Sequence, residues 1–182
     1  MDAIELLLTR QSCPRLVGPA PDEAQLTQIL NAAVRVPDHA GLTPWEFIIA
    51  EGDGLTRLAD HFVKAMEQDG GDEAAIAKAA NMPMRAPMVV TVVAKVSDHP
   101  KVPALEQHIA AGCACMAMQQ AAFALGLGGI WRTGPLAFNR HLHRELGLGE
   151  QDQIVGFLYL GTPAVKAPLK PQKSAGSAVR YL

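Results

Sequence analysis

The chain has 182 residues, 49% hydrophobic and 19% charged, with sixteen Lys and Arg against eighteen Asp and Glu for a formal charge of −2. That length suits one domain, since domains run to about 100–200 residues, and the apolar share is enough for a packed core. The balance excludes the basic, aromatic-interleaved surface of a nucleic-acid binder, and no apolar run approaches the roughly 20 residues a membrane-spanning helix needs.

Met1-Asp2-Ala3-Ile4-Glu5 carries acids where an export signal carries positive charge. The three cysteines are an odd count, which suits no disulfide framework. The expected compartment is the cytoplasm. Asp2 to Arg10 reads as a short helix with Ile4, Leu7 and Leu8 on one face, followed by a Pro/Gly-rich crossing from Pro14 to Pro21. Asp22 can cap a second helix whose Leu26, Ile29, Leu30 and Ala33 follow the i, i+3, i+4, i+7 spacing, and Pro37 stops it. Glu46 to Ala50 is a short apolar strand ended by Gly52.

Leu55, Leu58, Ala59, Phe62 and Met66 mark a third helix, Asp72 to Ala80 a fourth, and Pro83 to Pro87 a turn. Met88 to Val96, rich in β-branched residues, is a central buried strand. Pro103 opens the longest helix, which ends near Gly126, Gly128 and Gly129. A short strand is expected at Gly129 to Arg132, a helix at Phe138 to Leu146 and a last buried strand at Ile154 to Leu160, while Pro163 to Leu182 has no periodicity. Several helices and about four strands without a regular βαβ rhythm predict an α+β layer fold.

Four stretches carry candidate chemistry. In Arg10-Gln11-Ser12, a guanidinium fork and a hydroxyl suit phosphate or ribityl oxygens; the same residues would equally serve as a basic cap on the preceding helix. Arg35-Val36-Pro37-Asp38-His39 and Leu42-Thr43-Pro44-Trp45 form a proline-braced loop, either a site or merely a shaped connection. His108 to Met118 is a helix of small residues, fit for a central or dimer-interface position. Its Cys113 and Cys115 stand at i and i+2, on different faces, so no metal pair is expected there, nor at His141 and His143. Gly126-Leu127-Gly128-Gly129-Ile130-Trp131-Arg132-Thr133 follows a helix rather than a strand and so is no dinucleotide fingerprint, but its glycines admit a flat ligand to the backbone. No nucleophile elbow is present, and Glu106 has no readable partner. Chemistry with no evident protein nucleophile points to a cofactor.

Taken in order, Arg35-x-Pro37-Asp38-His39, Pro44-Trp45-x-Phe47, Glu106-Gln107 and Gly128-Gly129-Ile130-Trp131-Arg132 resemble the nitroreductase family, and in particular its small bacterial NAD(P)H-using members, over nearly the whole length. The resemblance implies one domain over 1–182, a mixed central sheet surrounded by helices, and an intertwined homodimer whose 163–182 arm crosses to the partner. It implies non-covalent FMN, one per subunit, at sites shared across the interface. Arg10, Gln11 and Ser12 would hold the phosphate and ribityl end. Trp131, Arg132 and Thr133 would lie along the isoalloxazine, and Arg35 and His39 would reach it from the other chain. Ala121, Ala122, Phe123, Ala124, Leu125 and Gly126 would contact NAD(P)H.

The implied activity is ping-pong hydride transfer from NAD(P)H to nitroaromatic, quinone-like or other electron-poor small-molecule acceptors, with the chemistry carried by FMN and no metal. A dehydrogenase or dehalogenase on the same fold, or a slow flavin-binding sensor or storage protein, are the alternatives. The chain departs from the common family pattern at Pro14, at Asp38-His39 and at Thr43, which leaves Arg35 as the charge partner of the flavin pyrimidine.

Overall fold

The computed structural model describes residues 1–165, 168–171 and 174–182. Its elements are α1 (Ala3–Thr9), β1 (Leu16–Val17), α2 (Glu23–Ala33), β2 (Trp45–Glu51), α3 (Asp53–Gln68), α4 (Glu73–Asn81), β3 (Met88–Ala94), α5 (Ala104–Ala124), β4 (Gly128–Arg132), α6 (Pro135–Phe138), α7 (Arg140–Glu145) and β5 (Gln153–Pro163). The α+β class is as expected.

Local chemistry sets most boundaries. Asp22 and Gln25 form a reciprocal capping box at the start of α2, and Asp2 and Asp72 cap α1 and α4. Two expectations need correction. The helix expected at Phe138 to Leu146 is broken, because Asn139 leaves helical geometry and accepts hydrogen bonds from the His141 and Leu142 N–H groups, which starts α7 anew. The described residues hold five strands where about four were expected, since Leu16–Val17 in the proline-rich crossing pairs with Thr162 and Pro163.

The sheet runs β2-β3-β5-β4, with β1 also on β5, and every ladder among the described residues is antiparallel. The mixed sheet is therefore not seen in this chain. The connections explain it. Two helices join β2 to β3 and two join β4 to β5, so each pair of strands runs in opposite directions. Only α5 joins β3 to β4, which therefore run the same way, but β5 lies between them.

Both faces of the sheet are covered, which is why Met88–Ala94 is buried at every position. Val89, Val93, Phe157 and Tyr159 pack with Phe62, Leu58, Leu136 and Leu142 beneath α3, α6 and α7. Met88, Val90, Val92, Leu158 and Leu160 pack on the other side with Ile29 of α2 and Ala114, Cys115 and Met118 of α5. Burial pushes the Cys115 thiol up to about 12. Among the described residues no helix is long and apolar enough to cross a membrane. By contrast α1 buries none of its residues: the expected apolar face is there, but Ile4, Leu7 and Leu8 are 65, 59 and 62% exposed.

Candidate functional site

A seam at the C-terminal end of α5 draws two of the candidate stretches together. Leaving α1, the chain passes Arg10 to Cys13, and the Cys13 N–H donates to Gly129 O of β4 at 2.9 Å. Glycine at 128 lets the segment pack this closely: a Cβ would lie 2.5 Å from Leu16 Cδ2, which would have to move, and 3.1 Å from Cys13 Cβ. From α5, Gln119 Nε2 reaches both Gly129 O (2.9 Å) and Ser12 Oγ (3.4 Å). Gln11, Ser12 and Cys13 line a cleft of about 820 Å³ together with Phe123, Gly126 and Leu127.

Arg10 Nη1 and Arg132 Nε are buried N–H donors with no hydrogen-bond partner among the described residues. Buried donors are nearly always paired, since leaving one unpaired costs about 1–3 kcal/mol. Gln11 has another occupation: its carboxamide donates to Pro168 O (3.0 Å) and accepts from Lys170 N–H (3.2 Å), holding the C-terminal segment.

Trp131 and Arg132 face opposite ways, as neighbours on a strand must. Trp131 lies over Gly156 towards α5, its Nε1 donating to Val155 O at 3.1 Å and its ring edge near Gly112. Arg132 turns to the other face, with its guanidinium carbon 5.8 Å from the centre of the Tyr159 ring. Burial pushes the Tyr159 phenol up, against the opposing charges of Arg85 and Arg132. The side chains of Trp131 and Arg132 thus cannot both line one face of a ligand; Thr133 is exposed beyond them. On its other edge, the one backbone hydrogen bond of β4 among the described residues is Cys13–Gly129, and the Gln119 carboxamide donates to the same Gly129 O.

The expected nicotinamide segment, 121–126, is the last turn of α5. Ala122 is buried in the core, Ala121 and Leu125 pack partly against it, and Ala124 is exposed, leaving Phe123 and Gly126 on the cleft. The Leu125 and Gly126 N–H groups are spent on Ala121 O and Phe123 O. A helix C-terminus presents carbonyl oxygens and repels phosphate, so what this segment can offer a ligand in the cleft is the Phe123 ring and the Gly126 backbone.

Arg35 and His39 lie elsewhere in the chain. Arg35 is exposed just past α2. His39 opens a tight turn braced by the Asp38 carboxylate, which accepts from Leu42 N–H (3.1 Å) and Thr43 N–H (2.7 Å). Its Nδ1 is 2.7 Å from Glu106 Oε2 in the first turn of α5. Glu106 is free to do this because the cap residue is Pro103, which has no N–H for a capping box. From Glu106 to Gln119 is 13 residues of helix, or about 20 Å at 1.5 Å per residue. One chain alone does not bring the two halves together.

The sequence profile of the nitroreductase family matches residues 7–162. The chain belongs to this family. It is 51% identical over 167 residues, covering 92% of this chain and 91% of the relative, to the provisionally named NAD(P)H nitroreductase YdjA of Escherichia coli (strain K12). The fold is similar to the crystal structure of a nitroreductase-like family protein from Bacillus cereus, with a TM-score of 0.84 at 21% identity, covering 100% of this chain and 96% of that one. It is also similar to a nitroreductase with bound FMN from Bacteroides fragilis NCTC 9343, with a TM-score of 0.73 at 20% identity and full coverage of both chains.

Sequence reasoning gave no role to two polar residues here: Gln107, quoted only within the Glu106-Gln107 motif, and Gln119. Both are buried in α5. Gln107 clamps the 97–102 loop through Ser97 N–H (2.9 Å), Ser97 O (2.8 Å) and Val102 O (3.3 Å). The available signal was a carboxamide on the apolar face of a helix, which stays buried only when bonded. The pairing of Glu106 with His39, 67 residues apart, had no sequence signal.

Proposed function

We propose that this chain is an FMN-dependent NAD(P)H oxidoreductase acting on electron-poor small-molecule acceptors, as a homodimer with FMN at two interfacial sites. The observation that carries the reading is the pair of buried guanidinium nitrogens with no partner among the described residues, on Arg10 beside Ser12 and on Arg132 of β4, in a chain matched by the nitroreductase profile over residues 7–162. Such donors fit an anionic, phosphate-bearing cofactor. FMN bound in a relative of the same fold and the NAD(P)H in the name of the 51% identical relative support the same choice.

Arg10 offers its fork and Ser12 its hydroxyl to the phosphate and ribityl end. The free edge of β4 through Trp131, Arg132 and Thr133 offers backbone groups to the ring, while the Trp131 indole closes the α5 side. Arg35 and His39 come from the second chain. The chemistry such a site supplies when loaded is two-electron transfer from NAD(P)H to the acceptor through the isoalloxazine ring. The role of the chain is to bind and orient: Arg35 sets positive charge near the pyrimidine edge, where fixed charge favours developing negative charge. Phe123 and Gly126 bound the approach of the nicotinamide.

Exposed apolar residues support the dimer. α5 is apolar on nearly all sides, yet Leu105 and Ile109 are exposed, as are Ile4, Leu7 and Leu8 of α1; a helix apolar all round belongs in an interior. Two α5 helices packed antiparallel would set the His39 end of one beside the Ser12 end of the other. In this reading residues 1–182 are one FMN-binding domain with 163–182 as the crossing arm, of which 166, 167, 172 and 173 lie outside the described residues. The place of action is the cytoplasm.

The test is purification followed by absorbance spectroscopy and NAD(P)H oxidation with a nitroaromatic or a quinone. A yellow dimer releasing close to one FMN per chain, with acceptor-dependent turnover, is the expected result. Protein that neither retains flavin nor takes it up from solution would refute the proposal.

A further inference from the structure

Gln119 is 4% exposed, and its carboxamide stands where the Arg10–Cys13 segment, α5 and β4 meet. Its orientation is determined by chemistry. Gly129 O can only accept, so the group 2.9 Å from it must be the Gln119 NH2. The second hydrogen of the same nitrogen is then directed to Ser12 Oγ, a longer contact at 3.4 Å. A hydroxyl that accepts from Gln119 keeps its own proton for another partner. Ser12 lines the cleft, and Gln119 is the one side chain bonded to it among the described residues.

We propose that Gln119 is a positioning residue that sets the polarity of Ser12, holding the hydroxyl as an acceptor on its buried side so that its proton points outward to a phosphate oxygen. This rests on the FMN reading above and extends it to a residue that would not touch the cofactor. The glycine at 129 belongs to the same device. A Cβ there would lie 3.3 Å from Leu160 Cδ2 and 3.4 Å from Gln119 Cγ, so glycine leaves the Gln119 side chain room beside the strand. Cys13 N–H donates to the same Gly129 O, which ties the backbone next to Ser12 into the arrangement.

The test is a double-mutant cycle read as flavin affinity by fluorescence quenching, with FMN and riboflavin as probes. Gln119→Met should weaken FMN about three- to tenfold, the worth of one oriented neutral hydrogen bond. It should leave riboflavin, which has no phosphate, nearly unchanged. Ser12→Ala should produce a similar loss, and the double variant no more than Ser12→Ala alone, because Gln119 acts through Ser12. Losses that add, or that are equal for FMN and riboflavin, would overturn the proposal and leave a general packing role. Should Gln119→Met fail to fold by circular dichroism, Gln119→Asn keeps the carboxamide but shortens its reach, and the same cycle decides. A folded wild-type protein binding neither flavin would sink the cofactor reading, and this proposal with it; additive losses sink only the proposal.

Discussion

Replacing Gly156 by alanine would drive a methyl group into the Trp131 indole. A Cβ at 156 lies 2.0 Å from Trp131 Nε1, 2.5 Å from Trp131 Cδ1 and 2.9 Å from Arg132 O. The backbone oxygen belongs to the β4–β5 ladder, so the indole has to give way. Its hydrogen bond to Val155 O is then lost, and the ring is pushed against Gly112, already 3.6 Å from a Cβ placed there. Overpacking costs about 1–3 kcal/mol and the lost hydrogen bond about 1 kcal/mol. Gly156 is not among the left-handed glycines, so alanine stiffens the unfolded chain and returns about 0.4–1 kcal/mol. The net cost centres near 2 kcal/mol, which for a chain of this size lowers Tm by about 4–8 °C. Thermal unfolding followed by circular dichroism measures it. In a Trp131→Ala background the methyl enters vacated space, and most of the cost should vanish. A Tm loss within about 1 °C in the otherwise wild-type protein, or an equal loss in both backgrounds, would refute the account of Trp131 packing.

Acid should destabilise the fold in two stages. Burial lowers the His143 pKa below its ordinary value, with the Arg140 charge acting the same way against a hydrogen bond to Ala137 O. The unfolded chain therefore binds the proton first, and stability falls as pH drops below about 6.5. Burial opposes the Asp152 carboxylate, but the Lys95 ammonium and the Gly149 N–H outweigh it and hold its pKa below the usual range. Its contribution is present above about pH 3.9 and is lost as pH falls through the lower folded value. Tm measured against pH should show both stages; Asp152→Asn should flatten the lower one and, because the Asp152 charge helps hold the His143 pKa up, deepen the upper one. Cys115, buried with its thiol pushed up to about 12, should resist iodoacetamide until the protein unfolds, which mass spectrometry of native and denatured samples would show. Arg10→Glu and Arg35→Glu should each lose FMN as homodimers, whereas their co-expressed heterodimer regains one intact site; verified heterodimers without flavin would refute the cross-subunit placement of Arg35.

Local signals in the sequence determined the elements. Caps at Asp2, Asp22 and Asp72, prolines at 37 and 103 and the apolar periodicities depend on near neighbours, so the helices and the buried β3 were legible to within a residue or two. The break at Asn139 was not, because its carboxamide competes for backbone N–H groups on equal terms with a continuous helix, and contact with Asp69 at 2.6 Å, 70 residues away, helps hold it. Arg10-Gln11-Ser12 and Trp131-Arg132-Thr133 were likewise visible as candidates. Only the tertiary structure set the Trp131 indole against Val155 O and Arg132 beside the Tyr159 ring, buried Ala122 and spent Gln11 on the tail. It alone paired Glu106 with His39 and set Gln119 between Ser12 and Gly129. The physical reason is range. Propensity and capping act over three or four residues, whereas the insertion of β5 between β3 and β4 sets which distant side chains meet, and the sequence does not announce that order locally.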